Sequence, residues 1–594
     1  MTNNIAERLE RLREELKREH LSAFIFPTTD PHNSEYTADR WKGREWISGF
    51  TGSAGIAVVT LKSAALWTDS RYFIQAEEQL RGTEFLLMKS KVEGTPTISE
   101  WIARELTSLS DKEIGVDGSV TSVADVELLK EELKRRGGIT VRTNFDPLQR
   151  IWKDRPSIPQ NPVVMQPLEF AGEETKSKLL RIRQALRKQH ADGMLVVALD
   201  DIAWTLNLRG SDVHCNPVFI AYLLIASDKV ILYINKGKVT DEVRAYLEKQ
   251  GVDLADYAEI SKGLKDYFEY NILLDPDEVC YTLYHQVSRD IVRESSPIPA
   301  LKAVKNEREQ LGFKSAMLRD GIAMVKFLKW LDENIGKQTL TEISVSDKLE
   351  RLRAEQPLYR GLSFDTIAGY EAHGAIVHYE ATPETDAALQ ASGLLLLDSG
   401  AQYQDGTTDI TRTVALGLLT DEQRRVYTLV LKGHLQLQYL HFPDGASGTQ
   451  LDAVARQDLW KAGLNYLHGT GHGVGSYLNV HEGPHQIRME WRPAKLHAGM
   501  TVTDEPGVYL EGRFGVRIEN TLLVVPDQET ECGRFLQFEP LTICPIDKRP
   551  IISEKLTDEE REWLNQYHVM CYERLSPHLD GEEKEWLRIA TLPL

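Results

Sequence analysis

Cysteine is scarce in these 594 residues: Cys215, Cys280, Cys532, Cys544 and Cys571 are odd in number and show no CxxC spacing. That excludes a disulfide framework and a zinc knuckle, and reads them as reduced thiols. None falls in the histidine-rich part of the chain, so no base is at hand to make one a nucleophile. Long apolar runs are absent too. Nothing approaches the ~18 apolar residues of a membrane span, so no membrane partner is expected. Positive charge is in deficit: the formal net charge is −19 with no block of Lys and Arg, which sets aside nucleic acid as a partner. An acidic surface of this kind favours solubility. A signal-peptide core is missing as well, because residues 1–20 alternate Glu and Arg around Ile5, Leu9, Leu12 and Leu16, the pattern of an amphipathic helix. The expected location is cytoplasmic.

What is present is an ordinary globular composition, 42% hydrophobic and 27% charged, on a chain several times the ~100–200 residues of one domain. Two or three cores follow. Two distant stretches share a pattern. Leu16 to His20 precedes Ala23-Phe24-Ile25-Phe26 and Asp30, while Leu186 to His190 precedes Met194-Leu195-Val196-Val197 and Asp200. Each reads as helix, short turn and buried strand, followed by a tryptophan (Trp46, Trp204) and a Gly-Ser pair (Gly52-Ser53, Gly210-Ser211). The repeat is too long for a solenoid, so it reads as one α/β domain duplicated. His20 and His190 are then capping or surface residues at a helix end. Pro156, Pro159, Pro162 and Pro167 mark a first linker; Pro297 and Pro299, followed by Lys302 to Glu309, mark a second. Beyond it the pattern predicts a long helix around Met317–Ile335, a strand- and glycine-rich stretch from Leu362 to Val525, and helices at Asp558–Cys571 and Glu582–Arg588.

The chemistry is concentrated in that strand-rich stretch. Leu394-Leu395-Leu396-Leu397 reads as a buried strand that ends in Asp398. The Asp405-Gly406 turn signal then folds the chain back through Asp409, Thr411 and Thr413, bringing Asp409 toward Asp398. A second hairpin, from Val502 through Glu505 to Val516-Arg517-Ile518-Glu519, makes Glu505 and Glu519 cross-strand neighbours. Between the two lie His468-Gly469-Thr470-Gly471-His472-Gly473-Val474-Gly475 and Asn479-Val480-His481-Glu482-Gly483-Pro484.

Taken singly, an Asp at a strand end is usually a turn former, and a lone Glu is usually solvated. Together, four carboxylates in a partly buried site repel one another unless they are protonated or neutralised by cations. Two divalent cations balance Asp398, Asp409, Glu505 and Glu519, with neutral His472 as a nitrogen ligand. Oxygen-rich ligation with one imidazole suits Mn, Co or Zn, and a two-metal clamp is a device for hydrolysis. His468 and His472 have the spacing of a helical zinc pair, but the glycines between them oppose a helix and the Glu of HExxH is missing.

Asp398, Asp409, His472, Glu505 and Glu519, in that order, resemble the metal ligands of the pita-bread metallopeptidases, among them aminopeptidase P, prolidase and methionine aminopeptidase. The length, His378 in Ile376-Val377-His378-Tyr379, the string His468–Gly475, the string Asn479–Pro484 and Trp67-Thr68-Asp69-Ser70-Arg71-Tyr72 resemble the long cytosolic aminopeptidase P type across essentially the whole chain. The resemblance implies an α/β (α+β) fold: creatinase-like domains over residues 1–158 and 159–303, then a pita-bread catalytic domain over 304–594 with a C-terminal extension from about residue 530. It implies hydrolysis of the N-terminal Xaa-Pro bond by a hydroxide bridging two divalent ions, Mn2+ first, with Co2+ or Zn2+ as alternatives. The substrates would be peptides with proline second, and the assembly a homodimer. In that family's mechanism Asp409 and Glu519 bridge both metals, Asp398 holds one, and His472 with Glu505 holds the other. Glu505 carries the proton, His481 stabilises the oxyanion, His378 holds the substrate carbonyl, and His468 helps form the proline site. Apart from the resemblance, Arg517 stands beside the Glu519 strand position, where it is expected to orient ligands. His373, His485 and His497 match no such position and are left outside the site. Two other readings stay open: a prolidase, which prefers dipeptides, and a pita-bread binding module without catalysis, which lacks the ligands present here.

Overall fold

The computed structural model describes residues 2–108 and 112–594. Met1, the first residue of the expected N-terminal helix, lies outside the described residues, as do residues 109–111. The chain forms two compact units: Met1–Met165 with Glu174–Ile298, and Gln166–Glu173 with Pro299–Leu594.

The first unit contains the duplicated domain. Helix α1 (Thr2–Arg18) buries Ile5, Leu9, Leu12 and Leu16, the apolar stripe of its sequence. It leads into a sheet of β1 (Ala23–Phe26), β2 (Ile56–Thr60), β3 (Ala64–Thr68), β4 (Phe85–Lys89), β5 (Glu113–Val116) and β6 (Thr140–Arg142), in the spatial order β4-β3-β2-β1-β5-β6. Helix α2 (Thr175–Lys188) opens the second copy, with β7 (Met194–Val196), β8 (Ala221–Ile225), β9 (Val230–Ile234), β10 (Asp253–Ala255), β11 (Asn271–Leu273) and β12 (Asp290–Val292) in the matching order β10-β9-β8-β7-β11-β12. The pairing senses match as well: the first strand is antiparallel to the second and parallel to the fifth in each sheet.

Local detail repeats with the topology. His20 and His190 adopt left-handed backbone at φ 57° and 59°. The next amide closes back on the helix, Leu21 N–H to Leu16 O at 2.8 Å and Ala191 N–H to Leu186 O at 2.9 Å. Each histidine therefore turns the chain out of a helix and into a strand, as a left-handed C-terminal residue does. The Arg8 guanidinium lies 4.7 Å from the Trp46 ring centre, and the Lys178 ammonium 4.4 Å from that of Trp204. Each cation also donates to its tryptophan's carbonyl, so the duplication preserved a cation–aromatic lock between the opening helix and the segment behind it.

The second unit starts differently from the sequence expectation. The charged stretch Lys302–Glu309, read as a linker, is mostly helical: Ile298–Ala303 is one helix, and α3 (Glu307–Asn334) follows after a short break. Asn306 accepts from the amides of Arg308 at 2.9 Å and Glu309 at 3.1 Å, while Glu309 reaches back to the Asn306 amide at 3.0 Å. This is a capping box, so the charges that look like a linker are the start signal of α3. After α4 (Glu342–Ala354), a sheet forms from β13 (Tyr359–Tyr370), β14 (Leu394–Tyr403), β15 (Gly406–Thr407) and β16 (Ile410–Ala415).

Helices α5 (Asp421–Gln438) and α6 (Gly448–Lys461) then interrupt the stretch that reads as strands in the sequence. Helix α5 buries residues on most of its circumference, including Val426, Val430, Leu431, His434 and Leu437, which leaves little polar stripe for a period to reveal. Further strands are β17 (Gly471–Gly473), β18 (Glu482–Ile487), β19 (Thr501–Asp504), β20 (Gly507–Leu510), β21 (Phe514–Arg517), β22 (Asn520–Thr530) and β23 (Gly533–Pro540), followed by α7 (Asp558–Leu575) and α8 (Gly581–Ala590). Among the described residues no helix is long and apolar enough to cross a membrane, and the five cysteines are outside any disulfide.

The extension is tied to the sheet by Arg412, fully buried on β16. It donates to the carbonyls of Thr411, Glu519, Cys544 and Pro545, to Asn520 Oδ1 and to the Tyr567 hydroxyl of α7. Close by, the His568 ring accepts the Ile546 N–H at 3.1 Å, and burial, with Lys548 and Arg412 adding to it, pushes its pKa down to about 3. An unfolded histidine binds a proton near pH 6.5, so between there and about pH 3 the unfolded chain holds the extra proton. This contribution is complete above pH 6.5 and is lost on acidification, on the order of 5 kcal/mol by the low end. His568→Gln keeps an acceptor for Ile546 and should flatten the fall of the melting temperature between pH 6.5 and 4; an unchanged slope would assign the acid lability elsewhere.

Candidate metal centre

Asp398 does not sit at the end of its strand as the apolar run suggests. Strand β14 continues through Ser399-Gly400-Ala401 to Tyr403, buried throughout, because these small residues let β13 and β16 flank both its edges. Asp398 stands opposite Thr411 on β16, and Asp409, two residues earlier, points to the same face by strand alternation. The hairpin expected from Asp405-Gly406 is present, with Tyr403 paired to Gly406.

The second pair arises at a seam between two ladders. Asp504 of β19 pairs with Asn520 of β22, and Gly507 of β20 pairs with Arg517 of β21, in one unbroken register. Glu505 and Glu519 face each other where the first ladder hands over to the second. Their backbones bind outward: Glu505 N–H donates to Thr470 O at 2.7 Å and Glu519 N–H to Thr411 O at 3.1 Å. The glutamates thus join the histidine-bearing segment on one side to the aspartate-bearing strand on the other.

His472 rides on β17, its amide donating to Thr503 Oγ1 at 3.1 Å. Its Nδ1 lies 2.8 Å from the Gly473 carbonyl. A carbonyl only accepts, so Nδ1 carries the proton and Nε2 presents a lone pair. That lone pair faces Asp409 Oδ2 and Glu505 Oε1, each at 3.5 Å. Ligand atoms of Asp409, His472 and Glu519 lie within 4.8 Å of one another.

Such an array of lone pairs and anions is repulsive on its own. Burial, and then Asp398 and Glu505, push the Asp409 carboxyl well above the usual range. Burial, then Asp409, Asp398 and Glu505, do the same to Glu519, and burial raises Glu505 to about 7 despite Arg517 beside it. Asp398 Oδ1 is buried without a hydrogen-bond partner, while its Oδ2 accepts from Arg517 at 2.6 Å. An orphaned carboxylate oxygen, an imidazole Nε2 turned toward two carboxylates and a cluster of buried acids fit divalent cations bound by oxygen and one nitrogen.

Arg517 also organises the surroundings. It donates to Tyr509 OH at 2.6 Å and to Thr411 Oγ1 at 3.2 Å, and Thr411 donates in turn to Glu519 Oε2 at 2.8 Å. His468 reaches Tyr509 OH through Nε2 at 2.9 Å, with its Nδ1 4.0 Å from Glu505 Oε2. The His481 ring packs edge-on to His472 with centres 4.4 Å apart, close enough for a charge on it to bear on Asp409 and Glu505. His378 occupies the turn after the short helix Glu371–Ala375 and is half-buried. That helix lies on the β20–β21 hairpin: a Cβ on Gly515 would stand 1.7 Å from the Gly374 carbonyl oxygen.

Sequence reasoning missed the supporting shell. His434 of α5 pairs with buried Asp504 at 3.1 Å, and Lys305 forms a buried ion pair with Glu482, next to His481. Only the adjacency of Asp504 to Glu505 and of Glu482 to His481 hinted at these partners. His485 is buried with Nε2 2.7 Å from Thr501 O.

Residues 312–526 match metallopeptidase family M24. Residues 8–147 and 154–309 each match the creatinase/prolidase N-terminal domain, and 534–594 match the C-terminal region of peptidase M24. Aminopeptidase P1 of Arabidopsis thaliana is 40% identical, with 97% of each chain covered. Xaa-Pro aminopeptidase 1 of Dictyostelium discoideum is 40% identical over 99% of this chain and 97% of its own. The X-prolyl aminopeptidase of Caenorhabditis elegans, described as a cytosolic enzyme with a di-nuclear active site, superposes with a TM-score of 0.95 at 35% identity over 99% of this chain and all of its own.

Proposed function

The chain belongs to metallopeptidase family M24, and from that membership we propose that it is a cytoplasmic Xaa-Pro aminopeptidase that works with two divalent cations, manganese first. The observation that carries the reading is the convergence of Asp398, Asp409, Glu505, Glu519 and the Nε2 of His472 in one buried array. Full-length aminopeptidase relatives, rather than a shared fold alone, support proline at the second position. The matched spans support domains at 1–158, 159–303 and 304–594, and the homodimer rests on the family resemblance.

Asp409 and Glu519 would bridge the two cations, Asp398 would hold one, and His472 with Glu505 the other. Held there, two divalent cations would supply Lewis acidity toward the scissile carbonyl and make water a nucleophile at neutral pH. Hydrolysis forms a C–O bond, breaks the C–N bond, and leaves a proton to be delivered to the proline nitrogen, which as an imide has none of its own. Glu505 carries that proton, a role it takes from the matching family position. His481 stabilises the oxyanion, His378 holds the substrate carbonyl, and His468, braced by Tyr509, shapes the proline site.

The test is a pair of substrates. Xaa-Pro-Xaa tripeptides should lose their first residue at a kcat/KM at least about tenfold above that for Xaa-Pro dipeptides, a modest difference in transition-state binding, and a chelator should stop both. The opposite preference would make the protein a prolidase; chelator-resistant cleavage would remove the metals from the mechanism.

A further inference from the structure

Glu342 is fully buried at the first position of α4, yet no step above uses it. Its carboxylate gathers donors from both ends of a single loop. From the near end it accepts the Tyr370 N–H at 2.8 Å and lies 2.9 and 3.0 Å from His373 Nδ1. From the far end it accepts the Tyr379 hydroxyl at 2.8 Å and the Ala387 N–H at 3.0 Å. The two side chains also meet: His373 stacks on Tyr379 with ring centres 4.5 Å apart and 29° between planes. Backbone bonds from Ile376 N–H to His373 O and from Tyr379 N–H to Ile376 O, both 3.0 Å, tighten the turn between them. His378 is the residue before Tyr379, inside this closed segment.

We propose that Glu342 is a positioning residue, a carboxylate clamp that closes the 370–387 loop around itself through His373 and Tyr379 and so aims His378 at the substrate. The proposal rests on the reading of His378 as the group that holds the substrate carbonyl. A carboxylate suits the task because it offers lone pairs only, and everything around it donates. An isosteric amide would turn an NH2 toward at least one of those donors and leave it unmet. His373, which matched no site position in the sequence, acquires a role as the clamp's near jaw.

The experiment is a double-mutant cycle with a structural readout beside it. Glu342→Gln should lower kcat/KM for an Xaa-Pro-Xaa tripeptide by roughly tenfold to a hundredfold, the scale of a misplaced substrate contact, with metal content unchanged. Tyr379→Phe, which keeps the ring and loses one donor, should show a smaller loss, and it carries the cycle if the amide variant melts early. In a His378→Ala background, each substitution should change kcat/KM by less than about twofold, since the group it positions is gone. Losses that multiply instead, or a His378→Ala protein with parental kinetics, overturn the proposal. Amide hydrogen exchange over residues 371–380 of the metal-loaded protein should quicken in Glu342→Gln, and unchanged exchange rejects the clamp. That measurement needs no catalysis. A parent without tripeptidase activity would sink the proposed function while leaving the clamp to be judged by exchange.

Discussion

Asp409→Asn should abolish cleavage of Xaa-Pro-Xaa tripeptides, with kcat/KM down by at least about a thousandfold, while the metal-free variant melts higher than the metal-free parent. Both effects come from one charge. Asp409 is buried against Asp398 and Glu505, and its Oδ2 faces the lone pair of His472 Nε2. Asparagine keeps the shape and removes the anion, so an acid-bridged pair of cations loses its bridge and the metal-free array loses part of its repulsion. The gain in the metal-free protein is on the order of 1 kcal/mol, the ordinary size of a trade between stability and function. Manganese restored to the stripped parent should revive cleavage and raise its melting temperature, and should do neither for the variant. A variant with parental activity would reject Asp409 as a ligand; one that is inactive but no more stable without metal would reject the repulsion argument.

The candidate ligands were legible because each is announced by punctuation that has a physical meaning: an apolar run before Asp398, an Asp-Gly turn before Asp409, glycines around His472, a mirrored hairpin around Glu505 and Glu519. The duplication was legible because helix, turn and strand recur in order, down to a histidine at each turn. Elements with no exposed face were not. Helix α5 hides its period by being buried nearly all round, and the Asn306 capping box resembles a linker until its reciprocal bonds are seen. The supporting shell was invisible for a different reason. His434 reaches Asp504 across 70 residues, Lys305 reaches Glu482 across 177, and Glu342 reaches His373 across 31. A sequence pattern records neighbours along the chain, whereas these pairs exist only once strands from separate hairpins are in register.

A matched pair of glycine substitutions separates a close strand approach from mere loop flexibility. Gly469 and Gly471 flank Thr470 in the same short stretch, yet they differ sharply in what a side chain would meet. A Cβ on Gly471 would stand 1.9 Å from the Thr503 carbonyl oxygen, a backbone atom that cannot swing aside; a Cβ on Gly469 would find its nearest neighbour at 3.5 Å, ordinary contact. Gly471→Ala must therefore push β17 away from β19. His472 moves with it, since its position depends on the bond from its amide to Thr503 Oγ1, and the 3.5 Å approaches of Nε2 to Asp409 and Glu505 open. A displacement of about 1 Å at a ligand is enough to cost roughly a hundredfold in rate, and overpacking adds ~1–3 kcal/mol of instability. Gly471→Ala should thus lose about two orders of magnitude in kcat/KM and bind manganese more weakly in a metal titration, whereas Gly469→Ala stays within about threefold of the parent in both. Equal losses would mean that the stretch needs glycine for its backbone freedom. Equal tolerance would mean that His472 is not held by the approach of β17 to β19, and the ligand geometry would have to be set from elsewhere.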